Sequence, residues 1–386
     1  FEFKMERLLK VSAALMHPTS SKQVAETPSL EVRKVAPPKL TQAHINRKVI
    51  GYRPMRLGCP RLEVEKIDDK VVAHNYGHGG SGWTLGPGSA AYVFDMLEKS
   101  SPSLGKDTPI TIIGAGVIGL FSAYVALHKG YKNLTIVADR FDNLTSHTAG
   151  GLLAPVSLAN DPEFEKVIAK IGIDAYRFYK DVCARKNPIL KDGADMVPAY
   201  FLTREESGLE PYVGEVMKPA KNVLVDFGNA QREMIVYDEG IFMHTHRMMD
   251  YLRTYLTGKV TFVNKKITSF NEINDKYIIN CTGLGAKELL GDSKMVPVQG
   301  HLIVLKDQEP EKLQYMMLCH FSDALNKHGQ KTTRSLYFFP KRELNASANN
   351  MGLLGGTFVV GATEQTENEE EFEILFNSAK EFFGIQ

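Results

Sequence analysis

Gly114, Gly116 and Gly119 stand in the spacing G-x-G-x-x-G, with Ala115, Val117 and Ile118 between them. Glycines at this spacing suit the binding of a dinucleotide. The first permits a tight turn, the second lets backbone approach a pyrophosphate, and the third lets the next helix pack closely on the preceding strand. The helix N-terminus then offers N–H groups and a positive dipole end to phosphate. Asp139 follows Gly119 by twenty residues and can accept from a ribose hydroxyl. Two alternatives compete: a glycine-rich turn in an ordinary α/β domain, and a membrane span, since Ile110 to Leu127 carries no charge. Three glycines within six residues, and strand patterns on both sides, argue against the span.

A second group lies earlier in the chain. Arg53 carries a planar guanidinium that can grip a carboxylate through two parallel bonds, which lysine cannot do. The competing reading is a structural ion pair near Arg56 and Arg61. The run Gly77-His78-Gly79-Gly80-Ser81-Gly82 supplies backbone: consecutive glycines let main-chain N–H groups approach a ligand oxygen and share its negative charge. Ser81 in HGGS looks like part of an oxyanion hole, but the chain has no G-x-S-x-G nucleophile elbow. His244 and His246 are two apart on an expected helix, which suits neither one face nor a metal pair, and no metal site is expected.

Around these residues the chain must build strands and helices. Ile110 to Ile113 reads as a buried parallel strand, Leu120 to His128 as a helix stopped by Gly130, and Leu134 to Ala138 as the next strand. Upstream, Met5 to Met16 reads as a helix ended by Pro18, and Thr19 to Asn46 as a loop or arm. Arg61 to Glu65 and Val71 to Asn75 read as strands, and Ser89 to Leu97 as a helix. Glu98 to Thr108 has linker chemistry. Downstream, a helix is expected over Asp161 to Arg185 and another over Glu239 to Leu256, capped by Asp238. Strands are expected at Ala199 to Thr203, Asn222 to Asp226, Val260 to Val263, Tyr277 to Asn280, Val298 to Leu305, Ser335 to Phe339 and Gly352 to Val360. The acidic run Glu364 to Glu373 leads into a final helix, where the acids favour the dipole and are read as a solvated face.

The 386 residues, with a formal net charge of +1, allow two domains and imply no nucleic-acid or membrane partner. Four scattered cysteines with no C-x-x-C pair suit a reducing compartment, so a cytoplasmic location is expected.

Several blocks together resemble the D-amino-acid oxidase family of FAD flavoproteins. ITIIGAGVIGL followed by VADRF, which places Arg140 beside Asp139, is similar to that family's opening unit. TSHTAGGL, residues Thr145 to Leu152, is similar to its loop over the FAD pyrophosphate and flavin edge. The resemblance thus implies cofactor contacts from Thr145, Ser146, Gly150, Gly151 and Leu152. YIINCTGLGA is similar to the strand and turn that return to FAD, through Thr282 and Gly283. LYFFP and LLGGTFVVG are similar to substrate-domain strands, and GYRPMR and HNYGHGGSGWT to the family's last two motifs. By resemblance Gly51, His78, Gly79, Gly82, Trp83 and Thr84 face the flavin. Arg53 binds the substrate α-carboxylate, Tyr337 donates to it, and the carbonyl of Gly80 accepts from the substrate amine. The family often has an aromatic residue where this chain has Ser81.

The order of these blocks is displaced. In the family the glycine motif opens the chain, and GYRP and HNYGHGG come near its end; here they precede it. A circular permutation, with the old ends joined through Glu98 to Thr108, is the simplest reading. The expected fold is α/β: a Rossmann-type FAD-binding domain with a mixed-sheet α+β substrate domain. The expected division is an N-terminal helix and arm over 1–50, an FAD-binding domain over 61–155 plus 235–297, and a substrate domain over 51–60 plus 156–234 plus 298–386. The activity implied is oxidative deamination of a D-amino acid by hydride transfer from Cα to flavin N5. The imino acid is hydrolysed to a 2-oxo acid and ammonia, and oxygen reoxidises the flavin to give hydrogen peroxide. The alternatives are a glycine- or sarcosine-type amine oxidase or dehydrogenase on the same fold, and a non-catalytic flavoprotein. Substrate range is assigned to Met316 to Arg334, where Arg334 would favour acidic substrates. A homodimer is compatible with the reading.

Overall fold

The computed structural model describes residues 30–156, 158, 161–342, 347–362 and 369–386. The helix expected over Met5 to Met16 lies outside them. Among the described residues two large sheets dominate.

The first sheet holds the glycine motif. Its strands run in the order Thr261–Asn264, Leu134–Ala138, Ile110–Ile113, Tyr277–Asn280, Lys70–Tyr76, Arg61–Ile67. The first five are parallel and the last is antiparallel to its neighbour. The parallel strands read as continuous apolar runs because helices cover the sheet. Ile110–Ile113 is buried throughout. The charge-free stretch from Ile110 is a strand, a turn and the helix Val117–His128, and no helix among the described residues is long and apolar enough to cross a membrane.

The second sheet has nine strands, in the order Glu31–Lys34, Lys221–Asp226, Gln231–Tyr237, Ala199–Phe201, Met316–Leu325, Lys331–Arg342, Met351–Val360, Met295–Leu305, Ile45–Arg56. Side-chain alternation gives it two buried faces. Leu302, Val304, Tyr337 and Phe339 join the core shared with the first sheet and its helices. Ile303, Leu305, Leu336 and Phe338 face the other way, onto Phe372, Leu375, Phe376 and Phe383 of the final helix, Glu369–Phe383.

Several local expectations are corrected. The arm read over Thr19 to Asn46 contains the strand Glu31–Lys34, paired parallel with Lys221–Asp226. Val35 and Leu40 are buried behind it, and Arg33 grips Asp238 with both nitrogens, at 2.5 and 3.3 Å. The boundary expected at residue 50 falls inside the strand Ile45–Arg56, and the one at 234/235 inside Gln231–Tyr237. The helix expected from Glu239 starts at Thr245, because Ile241–Met243 is buried as a strand against Ala194–Met196. The acidic face is not wholly solvated either. Glu371 is buried, with both oxygens on Arg334 at 2.7 and 2.8 Å.

The stretch Glu98 to Thr108 connects the helix Gly82–Ser100 to the strand at Ile110. Glu98 ties it down by accepting from Lys106, Lys129 and Tyr131 at 2.8 to 2.9 Å. Burial opposes ionisation of Glu98, but these donors outweigh it and hold its carboxyl down at about 2.

Candidate functional site

One cavity of about 410 Å³ is bounded by both sheets, within the size range of cofactor and ligand sites. At one end stands the glycine turn. Gly114 has φ +110°, and a Cβ there would lie 2.4 Å from the carbonyl oxygen of Cys281. Gly119 is buried, and a Cβ on it would lie 1.9 Å from the carbonyl of Gly114. Both must be glycine, for turn and packing respectively. Gly116 precedes the helix and provides no capping side chain. Its neighbour Val117 donates its N–H to Ser146 Oγ at 3.0 Å. The wall there includes Gly114, Ala115, Gly116, Val117 and Ile118, with Asp139 and Arg140 beyond the next strand.

The turn after Tyr277–Asn280 lies against the glycine turn and adds Thr282 and Gly283 to the wall. A buried polar chain sets it. Asn280 Oδ1 accepts from the Thr282 N–H and hydroxyl, at 3.2 and 2.8 Å. The Asn280 amide then donates to His74 Nδ1 at 3.1 Å, so His74 Nε2 carries the proton and donates to Glu65 at 2.9 Å. Burial, reinforced by Arg61, pushes His74 down to about 4 despite Glu65, so it is neutral. His74 lies on the strand Lys70–Tyr76.

Gly79–Ser81 forms a single 3-10 turn leading into the helix Gly82–Ser100. His78, Gly79, Gly80, Gly82 and Trp83 line the cavity. The loop is fastened to the arginine strand: Met55 bridges His78, and the Arg56 N–H donates to Gly77 O at 3.2 Å. Asp292 accepts from both Arg56 and Tyr76 at 2.8 Å. Asn75 Oδ1 and His78 Nε2 are buried without a partner in this same wall, and burial holds His78 neutral, at about 4. Ser81 is buried and donates to Val156 O at 2.5 Å, with no histidine on it. Thr84 does not reach the cavity; its hydroxyl is tied to Ala154 at 2.9 Å, which corrects the expected flavin contact.

The segment Thr145 to Leu152 begins with the short helix Thr145–Thr148 and brings Thr145, Ser146, Gly150, Gly151 and Leu152 to the wall. Thr145 donates to Tyr52 O, and Trp83 donates its indole N–H to Ser146 O at 2.9 Å.

At the far end Gly51 and Arg53, on the strand Ile45–Arg56, and Tyr337, on Lys331–Arg342, complete the cavity. Arg53 donates to Thr357 O at 3.1 Å and lies over the Phe358 ring, and it shares the cavity wall with Tyr337. Burial pushes the Tyr337 phenol up, against the pull of the Arg53 charge, so it stays a donor at neutral pH. Room for these side chains comes from backing glycines. A Cβ on Gly300 would lie 2.6 Å from the Arg53 guanidinium, and one on Gly355 would lie 1.7 Å from the Tyr337 ring. The ladder between the strands of Gly300 and Gly355 is irregular between Gln299 and Leu302. There the Thr357 hydroxyl accepts from the His301 N–H at 3.2 Å and contacts His301 Nδ1 at 2.5 Å.

Of the residues expected to contact cofactor or substrate, all but Gly119, Thr84 and Arg334 line this one cavity. Lys265, Lys266 and Glu288 also border it, near Asp139, and were missed. The signal was available: both lysines directly follow the edge strand Thr261–Asn264, and ligands in open parallel sheets sit at the carboxyl ends of strands. Among the described residues no cluster of His, Cys, Asp or Glu is placed to hold a metal.

The sequence pattern described as FAD dependent oxidoreductase matches residues 109–385. The chain belongs to that family. Its cofactor is FAD and its fold that of the D-amino-acid-oxidase-like oxidoreductases. Similar proteins include a D-amino-acid oxidase of Dictyostelium discoideum, 29% identical over 207 residues, or 51% of this chain and 57% of that protein. Another is a D-amino-acid oxidase of Streptomyces coelicolor, 27% identical over 218 residues, or 52% of this chain and 60% of that protein. The chain therefore spans under two thirds of the length of these curated relatives. Among solved structures, Amadoriase I of Aspergillus fumigatus aligns at 13% identity with a TM-score of 0.42, over 66% of this chain and 63% of that one.

The residues present fit FAD. The glycine turn and the helix start would hold a pyrophosphate, Asp139 at the end of the next strand would meet a ribose, and Asn75 Oδ1 and His78 Nε2 are buried polar atoms without a protein partner in the same wall.

Proposed function

We propose that this FAD-dependent oxidoreductase oxidises a D-amino acid to its imino acid, which water converts to a 2-oxo acid and ammonia. The observation that carries the proposal is the one cavity that joins the glycine turn to Arg53 and Tyr337. Bound FAD supplies the hydride acceptor. Arg53 holds the substrate carboxylate in two parallel bonds and Tyr337 donates a third, which fixes the direction of the Cα–H bond. The Gly80 carbonyl is available to the amine. No side chain is needed as a base if the amine binds neutral, and no His–Asp pair lines the cavity.

The wall beside Arg53 and Tyr337 contains Leu302, Leu318 and Phe339. It supports a substrate with an apolar side chain over one without. The idea that Arg334 selects acidic substrates is withdrawn: both Glu371 oxygens occupy its guanidinium, and it is not in the cavity wall. We also infer a circularly permuted chain. The family match begins at residue 109, after both displaced motifs, which supports that order.

The test is anaerobic addition of D-amino acids, their L-enantiomers, glycine and sarcosine to the yellow protein. Loss of the flavin band with apolar D-amino acids is expected. Bleaching by glycine or sarcosine alone would transfer the assignment to a secondary-amine or glycine oxidase, and silence across the panel would end the enzymatic reading.

A further inference from the structure

Three residues of one strand, Tyr337, Phe339 and Lys341, are two apart and so share a face. Tyr337 reaches the substrate end and Phe339 packs where a Cβ on Gly150 would be, at 2.6 Å. Lys341 is 8% exposed and does not line the main cavity. Its ammonium donates to His147 O at 2.9 Å, to Ala149 O at 2.5 Å and to Thr245 Oγ1 at 2.9 Å. An ammonium has three hydrogens, so this set uses all of them. Thr245 opens the helix Thr245–Leu256, and its hydroxyl is also shared with the same two carbonyls, at 3.2 and 3.1 Å. The segment so gathered is the one whose Ser146 hydroxyl meets Val117 and whose Ser146 carbonyl takes the Trp83 indole.

We propose that Lys341 is a positioning residue for FAD: its buried ammonium draws the carbonyls of His147 and Ala149 onto the substrate strand and thereby shapes the loop Thr145 to Leu152 around the cofactor. Two independent needs meet at this point. Carbonyl oxygens buried beside a sheet require donors, and a loop on a cofactor requires a fixed conformation if its hydroxyls and backbone are to be ready before binding. A neutral side chain of similar length fills the space but leaves the carbonyls to the single Thr245 hydroxyl. The inference rests on the family's FAD and not on the identity of the substrate.

The chain's only tryptophan, Trp83, touches this loop and reports on it without cofactor. The full-length chain is stripped of FAD and titrated with it, for the parent, Lys341→Met, Lys341→Arg and Thr245→Val. Lys341→Met should raise the FAD Kd by about 10- to 100-fold and shift Trp83 emission to the red in the apoprotein. Lys341→Arg, which keeps the charge, should restore most of both signals. Thr245→Val should fall between and serves if Lys341→Met does not fold. FAD affinity and Trp83 emission within twofold of the parent in the neutral variants would overturn the proposal, as would equal losses in Lys341→Arg and Lys341→Met.

Discussion

The two ends of the cavity are built on opposite plans. At the cofactor end the functional atoms belong to backbone, and side chains are kept out: Gly114, Gly116 and Gly119 stand where a Cβ would meet main-chain or loop atoms. At the proposed substrate end the polar atoms facing the cavity belong to two side chains, Arg53 and Tyr337, and glycines stand behind them to make room. The first end is broken by adding a methyl group and the second by removing the guanidinium fork. The contrast follows from the ligands. A pyrophosphate is met by aligned N–H groups and a helix dipole, which any sequence can supply if the turn is tight. A free carboxylate is best met by a planar, permanently charged fork.

Adding atoms at the cofactor end should give the largest effect. Gly114→Ala combines a left-handed backbone with a Cβ 2.4 Å from Cys281 O. We expect protein purified without colour, with FAD affinity down by about 100-fold or more, since roughly 3 kcal/mol of strain is enough for that factor. Fluorescence titration of FAD measures it, and a yellow Gly114→Ala protein would remove the backbone account of that end. Next, Arg53→Lys keeps the charge and loses the fork. Its kcat/KM should fall by about 100-fold, roughly 3 kcal/mol, while FAD binding stays within about twofold. A matched loss of FAD affinity would show that the ends are not separable.

A smaller effect is expected one layer behind. Thr357 offers its carbonyl to Arg53 and its hydroxyl to His301. Thr357→Val should raise KM by about tenfold, of the order of one buried hydrogen bond, and Thr357→Ser should not. Unchanged KM in the valine variant would mean that the Thr357 hydroxyl and His301 do not help to position Arg53, whose bond to the Thr357 carbonyl survives the substitution.

The last effect is on stability rather than on binding or rate, and it distributes over both ends. Burial holds His78 at the cofactor end and His301 at the substrate end neutral, each down at about 4 from 6.5. The unfolded chain binds protons that the folded chain refuses between these values. Stability is therefore complete above about pH 6.5 and falls as pH drops towards 4, by at most about 1.4 kcal/mol per pH unit for each histidine. Thermal melts of the FAD-free protein from pH 7 to 4.5 should show this slope, and His301→Asn should flatten it. An unchanged slope would exclude His301 as a source.

Much of the cofactor end was legible in the sequence because its signals are local. Turn, helix start and acid lie within one strand-helix-strand unit, so spacing alone carries them. The substrate end was legible only through resemblance. Arg53 and Tyr337 are far apart in sequence and meet because the strand Met295–Leu305 pairs with the strand of Arg53, and Met351–Val360 joins it to the strand of Tyr337. No periodicity encodes that meeting. Charge partners were the least legible. Glu371 read as a solvated acid and Arg334 as a free cation until the final helix packed on the sheet and joined them. Thr84 failed for a related reason: a hydroxyl beside a glycine loop has two sides, and only tertiary packing turned it to Ala154.

The central proposal is that Arg53 grips a substrate carboxylate and so aims the neighbouring carbon at the site of FAD, which would supply the hydride acceptor. The most direct measurement is the anaerobic bleaching rate of the flavin band with an apolar D-amino acid and with its carboxamide. The parent should bleach with the acid at least about 100-fold more efficiently than with the amide, and Arg53→Lys should lose most of that preference. Equal bleaching by acid and amide in the parent, or a preference untouched in Arg53→Lys, would contradict the account.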